Sequence, residues 1–498
     1  MSRMERGPKG RGHRVCTVVS AMWLSIVASA VLGVGGERIV LSQVSEARPE
    51  APTANGQTKD KQESPPAAQQ PEPGAGAQVH TGTSSGIETD ARMQSLLMDH
   101  QYFVLADELD ALPPEQTQLY RGILANRAND AKKSIGLLEP LLEKVTASGD
   151  TAHEKLLREA LAEDYLREGD FAKAAAAYKA LESRLGSKLS TDEQDEIEMP
   201  LKMAPLAAAN PPMTVEPCDP FVMQVSRNPL GLTDIPVFVD AQPHSWMLDP
   251  TAPFNMIARS LAREVGLKVS NDAVTIHTLT GKPMRVHATV IPRFTINGRL
   301  TLRNMTAFVF EDADYFFPRS GYQVQGLLGY PALQTLGSIT VTADSTIEVQ
   351  PSKEPPANAK DLGDPAGAHF FLDGDQIIVA LGQVGNERMF AIDAAGQQTY
   401  FTSRYYDEHT GEFPALKLAP FTVPGSDKLP PQPAYMAETI PLNVGGTAVQ
   451  AHFIQVLTQP LGNAALDDVY GVLGVDLLDQ LRSYTFDYRT MRFSVRPE

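Results

Sequence analysis

Two stretches of this 498-residue chain answer each other, and any fold the chain adopts has to accommodate both. SWMLDPTAPFNMIA surrounds Asp249, and RMFAIDAAGQQTYFTS surrounds Asp393. Each is an apolar run ending on an aspartate, then a turn of small residues, then a second apolar run. Each is answered downstream by a glycine-apolar-apolar-glycine signature. GLLGYPALQTLGSIT begins at Gly326, 77 residues after Asp249, and GVLGVDLLDQLRSYT begins at Gly471, 78 residues after Asp393. A shift of 144 residues lays Asp249 on Asp393 and Gly281, in the turn LTGK, on Gly425, in VPGSDK. A shift of 145 lays Gly326, Gly329, Leu333, Leu336 and Thr340 on Gly471, Gly474, Leu478, Leu481 and Thr485. Asn297-Gly298 meets Asn443 and the pair Gly445-Gly446 more loosely. Chance alternation of strands does not keep glycines and aspartates in register, so the pattern predicts an internal duplication.

The residues around these landmarks read as strands. VFV, VTIHTL, VHATVI, RFTING, TAFVFED, SITVTA and TIEVQP fill a first block, residues 221–350. QIIVALGQV, MFAID, TIPLNV, AHFIQVL, YTFDY and RFSVRP fill a second, residues 368–498. The Pro- and Ala-rich stretch 351–367 separates them, which predicts two similar β-rich lobes joined by a linker. Upstream the period changes. Residues 90–198 read as helical, and LREALAEDYLREGDFAKAAAAYKALESRL sets Ala162, Tyr165, Ala174, Tyr178 and Leu181 at helix–turn–helix spacing around Gly169-Asp170. Small residues where two helices approach, with aromatics at the junction, suit a packed antiparallel pair, and the stretch resembles one tetratricopeptide repeat. Such a region would serve as a docking site for a protein partner or as a helical spacer. The helical period stops after Pro200, and 199–220 reads as a linker.

The N-terminus is of another kind. Arg3, Arg6, Lys9, Arg11 and Arg14 precede an apolar run, residues 15–34, containing the small-residue triplet Ala28-Ser29-Ala30. Residues 1–36 therefore read as an export signal or an uncleaved membrane anchor, since the run is long enough for either. On either reading the body would be periplasmic or extracellular, and the anchor reading ties it to the inner membrane through residues 15–34. Residues 37–89, rich in Pro, Gln, Ala and Gly, cannot bury enough apolar surface to hold a fold and read as a disordered tether.

The whole chain carries a formal charge of −17, without the basic patch that nucleic acid requires. Cys16 and Cys218 are the only cysteines, and no histidine falls in a metal-ligand spacing, so neither a thiolate metal site nor a disulfide framework is expected. No serine elbow, phosphate loop or dinucleotide fingerprint occurs. No metal or cofactor is called for.

An aspartate at a strand end with a small-residue turn, and Gly-apolar-apolar-Gly about eighty residues on, resembles one lobe of the pepsin–retropepsin aspartic protease superfamily. The resemblance is strongest to bacterial retropepsin-like proteins with two such lobes in one chain, and it covers about residues 220–498. It implies a multidomain, mainly-β bilobal aspartic-protease fold, its lobes related by a pseudo-twofold axis, preceded by the α-helical tetratricopeptide-like region. It implies that Asp249 and Asp393 meet as a catalytic dyad sharing a proton, that Gly281 and Gly425 tip flaps over an inter-lobe cleft, and that Gly326, Gly329, Gly471 and Gly474 lie behind the site. It implies a peptide or protein as substrate or ligand. The active-site turns depart from the family's Asp-Thr-Gly. They read Asp249-Pro250-Thr251-Ala252 and Asp393-Ala394-Ala395-Gly396. On that alignment the hydroxyls that brace the two turns are missing from both copies, while the Cβ atoms of Thr251 and Ala395 stand where the family has glycine. The N–H groups of Thr251 and Ala395 remain available to the carboxylates. Two functions follow as expectations, an exported endopeptidase and a pseudoprotease scaffold that holds peptide without cutting it.

Overall fold

The computed structural model describes residues 82–277, 283–351, 367–374, 376–413, 417–423, 430–462 and 464–496. The N-terminal run 15–34 and most of the expected tether lie outside these residues. Among the described residues, 82–92, the beginning of the helix Gly82–Met98, fall in a unit separate from residues 93–496. No helix among the described residues is long and apolar enough to cross a membrane.

An N-terminal helical region precedes a large, mainly-β region. Four of its described helices begin where the sequence supplies N-caps. Asp130, Asp150 and Asp170 each accept the backbone N–H three residues on, from Lys133, His153 and Lys173, at 3.1–3.2 Å. Ser190 and Glu193 form a reciprocal capping box. The helices Thr151–Arg167 and Phe171–Leu185 pack as a hairpin about Gly169, whose φ of +74° suits glycine. Ala162, Tyr165, Ala174, Tyr178 and Leu181 are all buried between or beside them.

Two boundaries differ from expectation. The first helix starts at Gly82, inside the stretch expected to be a tether up to residue 89; Met93, Leu96 and Leu97 bury one face, and the helix propagates back from that anchor. The last helix, Thr191–Ala208, runs through Pro200 and Pro205 instead of ending there. Each proline removes one helical hydrogen bond, but Ile197, Ala204 and Ala207 are buried, and the helix lies against the strand Val269–His277. Packing outweighs local propensity here. Nor is the expected linker 199–220 unstructured throughout, because Thr214–Val215 pairs with Leu302 and Arg303 on the strand Leu300–Phe310.

In the β region the same construction occurs twice. The hairpin Thr233–Val239/Gln242–Leu248 delivers the chain to Asp249, and the hairpin Gln376–Gln383/Asn386–Ile392 delivers it to Asp393. Gly326–Leu328 runs parallel to the first incoming strand and antiparallel to Met256–Ala258. Gly471–Leu473 runs parallel to the second and antiparallel to Tyr400–Phe401. Glycine opens both strands because aromatic rings lie against them. A Cβ on Gly326 would fall 2.2 Å from the buried Trp246 ring, and one on Gly471 would fall 2.7 Å from Phe401. Long hairpins follow in each half, Pro283–Ile296/Leu300–Phe310 and Gln432–Val444/Thr447–Leu457. Their turns use left-handed residues, Asn297-Gly298 and Gly445-Gly446.

One antiparallel arrangement joins the halves. Its strands lie in the order Phe221–Gln224, Thr346–Gln350, Ser338–Thr342, Ser483–Asp487, Arg492–Arg496, Ala368–Asp373. At its centre Thr340 pairs with Thr485, their hydroxyls 2.8 Å apart. Ile339, Val341, Ile347, Val349, Phe486 and Phe493 alternate inward and make one core continuous through both halves.

The helices dock on the far face of the second half. Tyr102 and Phe103 meet Phe371 edge-on, with ring centroids 4.8 and 5.7 Å apart. Asp373, at the end of that strand, accepts from His100 at 2.7 Å and Tyr102 at 3.4 Å and pairs with Arg127 at 2.9 Å.

Candidate functional site

Each aspartate stands where its strand ends beside the glycine-led strand, and the backbone is tied down in the same way at both. The Asp249 N–H donates to the Leu328 carbonyl at 3.1 Å, and the Asp393 N–H to the Leu473 carbonyl at 3.0 Å. The turn then folds over its own carboxylate. Oδ1 of Asp249 accepts from the N–H groups of Thr251 and Ala252 at 3.0 and 3.1 Å, and Oδ1 of Asp393 from those of Ala395 and Gly396 at 3.2 and 2.8 Å. Next, the Ala252 and Gly396 carbonyls accept from the N–H groups of Tyr330 and Val475, both at 2.8 Å. Finally, Asn255 Oδ1 and Thr399 Oγ1, 144 residues apart, accept from the N–H groups of Gly329 and Gly474 at 3.1 and 2.8 Å.

This close backing explains the second glycine of each signature. A Cβ at Gly329 would lie 2.1 Å from the Phe254 carbonyl oxygen and 2.6 Å from that of Ala252. One at Gly474 would lie 2.7 Å from the Gln398 carbonyl carbon and 2.9 Å from the Gly396 oxygen. Gly396 itself leaves room for a carboxylate, since its Cβ would meet Asp393 Oδ2 at 2.5 Å.

The expectation that both turns lack a bracing hydroxyl is corrected. Thr251 Oγ1 donates to Asp249 Oδ1 at 2.7 Å and accepts the backbone N–H of Ala394, on the opposite turn, at 3.1 Å. The hydroxyl sits one position later than in Asp-Thr-Gly, but the Asp-Pro-Thr turn still brings it to the boundary between the turns. Thr251 is buried and fills that boundary as a tie. Pro250 sits below, its carbonyl accepting from the Tyr488 hydroxyl at 3.4 Å. Gln397 reaches back from the second turn to the Leu230 carbonyl at 3.1 Å.

The two carboxylates lie within each other's field. Burial raises Asp249 above the ordinary aspartate range, and hydrogen bonds from Thr251 and Ala252 pull it partly back. Burial and then the charge of Asp249 push Asp393 up to about 6. Two negative charges so placed resist joint ionisation, so the pair retains a proton into mild acid. Such a pair can take a proton from a water and give one to a polarised carbonyl.

The described residues also place near the pair side chains that the sequence did not single out. Tyr315 feels both Asp249 and Asp393, Tyr400 feels Asp393, and Tyr484 and Tyr488 feel Asp249; burial keeps all four phenols neutral. Tyr315 belongs to the short turn Asp312–Tyr315, which follows the strand Leu300–Phe310. Gly281 and Gly425, the flap residues of the sequence reading, lie outside the described residues. The strands that lead to Gly281, Val269–His277 and Pro283–Ile296, form a hairpin.

Residues 235–332 match the family model of the aspartyl proteases. That span holds Asp249, its turn, Gly326 and Gly329; Asp393 lies beyond it. No curated protein matches the chain. Among solved structures, conglutin gamma, a basic 7S globulin from lupine seeds, aligns at 10% identity over 57% of this chain and 96% of its own, with a TM-score of 0.35. A retropepsin-like aspartic protease from Rickettsia conorii aligns at 15% identity over 27% of this chain and 94% of its own, with a TM-score of 0.20.

Proposed function

We propose that the chain is an aspartic endopeptidase made of two duplicated β lobes, residues 221–350 and 368–498, with Asp249 and Asp393 as its catalytic pair. The observation that carries this reading is that the two aspartates stand on matching turns, each backed by a glycine that admits no side chain and tied to each other through Thr251 Oγ1, which bonds Asp249 on one turn and the Ala394 N–H beside Asp393 on the other. A bound water between the carboxyls gives a proton to the charged aspartate as its oxygen attacks the peptide carbonyl carbon. The protonated aspartate gives its proton to the carbonyl oxygen, so a tetrahedral diol forms and the charge of the pair is unchanged. Collapse of the diol breaks the C–N bond as the amine leaves with a proton. Peptide lies in a cleft between the lobes.

The basic start and apolar run 15–34 support export, with the catalytic body outside the cytoplasm as a released or anchored protein. The helical hairpins support a tetratricopeptide-like region that receives a protein partner.

The test is cleavage of a peptide library between about pH 3 and pH 6. Activity should be present in the wild-type chain and lost in both Asp249→Asn and Asp393→Asn. A wild-type chain that binds library peptides without cutting any would replace this reading with a second one, a peptide-holding scaffold. That second reading is favoured by one observation: Pro250 has no N–H and Ala394 no hydroxyl, so the tie across the turns has no reciprocal partner.

A further inference from the structure

The two aspartate turns share a backbone design but differ in what crosses between them. Thr251 Oγ1 spans the gap from the first turn, donating to Asp249 Oδ1 at 2.7 Å and accepting from the Ala394 N–H at 3.1 Å. Nothing equivalent returns. The residue in register with Thr251 is Ala395, and Pro250 offers no N–H to a hydroxyl from the other side. The carboxylates are therefore held unequally. Oδ1 of Asp249 accepts from three donors, the Thr251 hydroxyl and the N–H groups of Thr251 and Ala252. Oδ1 of Asp393 accepts from two, the N–H groups of Ala395 and Gly396, and its Oδ2 lies against the open face of Gly396.

We propose that Thr251 is a positioning residue that sets the order of ionisation in the pair, keeping Asp249 as the charged partner and leaving Asp393 to carry the proton. The inference rests on reading the two aspartates as one proton-sharing pair. A donor to a carboxylate favours its ionised form. The Thr251 hydroxyl proton is committed to Asp249 because the Ala394 N–H occupies the acceptor side of the same oxygen, and the two bonds polarise each other. The other titratable groups facing the pair do not reverse the order. Tyr315, Tyr484 and Tyr488 face Asp249, and Tyr315 and Tyr400 face Asp393, all neutral phenols. The upward push on Asp393 from burial and from the charge of Asp249 has the same sense.

In the reaction this assigns the two roles. Asp249 takes the proton from the attacking water, and Asp393 gives its own to the carbonyl oxygen. After the attack the pair holds one proton as before, now on Asp249, ready for the leaving amine.

The test reads the carboxyls directly and needs no cleavage activity. The full chain is labelled with 13C at the aspartate carboxyl carbons, and the two resonances are assigned from Asp249→Asn and Asp393→Asn. They are then titrated in wild type, Thr251→Ser and Thr251→Val. In wild type the last proton to leave should report chiefly on Asp393. Thr251→Val should raise the Asp249 titration by about one to two pH units and narrow or invert the split, whereas Thr251→Ser should restore the wild-type order. A folded Thr251→Val chain with an unchanged split overturns the proposal, as does a wild type in which Asp249 titrates last. If Thr251→Val does not fold, Thr251→Ala replaces it, with the same two outcomes. Absence of peptide cleavage alongside the expected split would count against the peptidase reading alone.

Discussion

Ionising Asp393 costs the fold stability, because burial and the charge of Asp249 favour its protonated form. Its proton affinity is raised to about 6 in the native chain, against about 3.9 for a free aspartate. The native state therefore binds more protons than the unfolded state between these values, and stability falls as pH rises through them. At neutral pH the cost is at most about 3 kcal/mol, since each tenfold change in proton affinity is worth about 1.4 kcal/mol. We predict that Asp393→Asn, which removes the charge and keeps the shape, raises thermal stability at pH 7 and gives no gain near pH 4. Melting temperatures of wild type and variant across that range check it. The repeated strand-end aspartates and the glycines packed behind their turns were legible in the sequence, because a backbone-to-backbone contact admits glycine alone. The role of Thr251 was not. Its position in Asp-Pro-Thr reads as a departure from Asp-Thr-Gly, and only the path of the turn carries its hydroxyl to Ala394.

Among the elements, alternation of apolar and polar residues located nearly every long strand, and the spacing of Ala162, Tyr165, Ala174, Tyr178 and Leu181 around Gly169-Asp170 located a helical hairpin. Such local signals failed where distant partners decide. Pro200 and Pro205 read as the end of a helix, yet the helix continues because Ile197, Ala204 and Ala207 find a buried face. The strand Ala368–Asp373 ends on an aspartate that nothing in its own segment distinguishes. It is the partner of Arg127, His100 and Tyr102, more than two hundred residues earlier in the chain. Burial opposes its charge, but Arg127 and His100 together hold it well below the usual carboxylate range. We predict that Asp373→Ala removes the closer of the two carboxylates paired with Arg127, leaving Glu163 at 3.3 Å, and costs about 3 kcal/mol. Urea denaturation in a Trp23→Phe background, followed by the fluorescence of Trp246, in the β region, and by helical circular dichroism, would measure it. Equal losses on both probes indicate that the helices and the β region unfold together, and a loss under 1 kcal/mol would show that the apolar contacts about Phe371 hold the helices alone.

For the whole molecule, two sets of carboxyls pull stability in opposite directions. Asp393 at about 6, with Asp164 and Glu159 at about 7 through burial, favour the folded chain while protonated, so their contribution declines as pH rises from about 4 to 7. Asp373 and Glu154 are held down, Asp373 by Arg127 and His100 and Glu154 by Arg184 and Arg158, so their contribution is full above about 4.5 and is lost as pH falls below it. We predict a maximum of stability at about pH 4–5, declining on both sides, measurable as melting temperature against pH. A maximum at neutral pH would contradict the balance. At this scale the sequence showed a helical region before a mainly-β region, since the period of the apolar residues changes. It could not show that the helices share a core with the second half, because surface complementarity between distant segments leaves no periodic trace.

That shared core has a consequence for timing. The helices are synthesised before the β region, but the surface that Tyr102, Phe103 and Arg127 require comes from strands beginning at Ala368, and the parallel strand completing that half, Gly471–Leu473, is made later still. A nascent chain thus carries its helices with an apolar face uncovered while the first half of the β region is translated. Their docking is a late event of long sequence separation, which slows folding and lengthens the interval in which that face is open to other contacts.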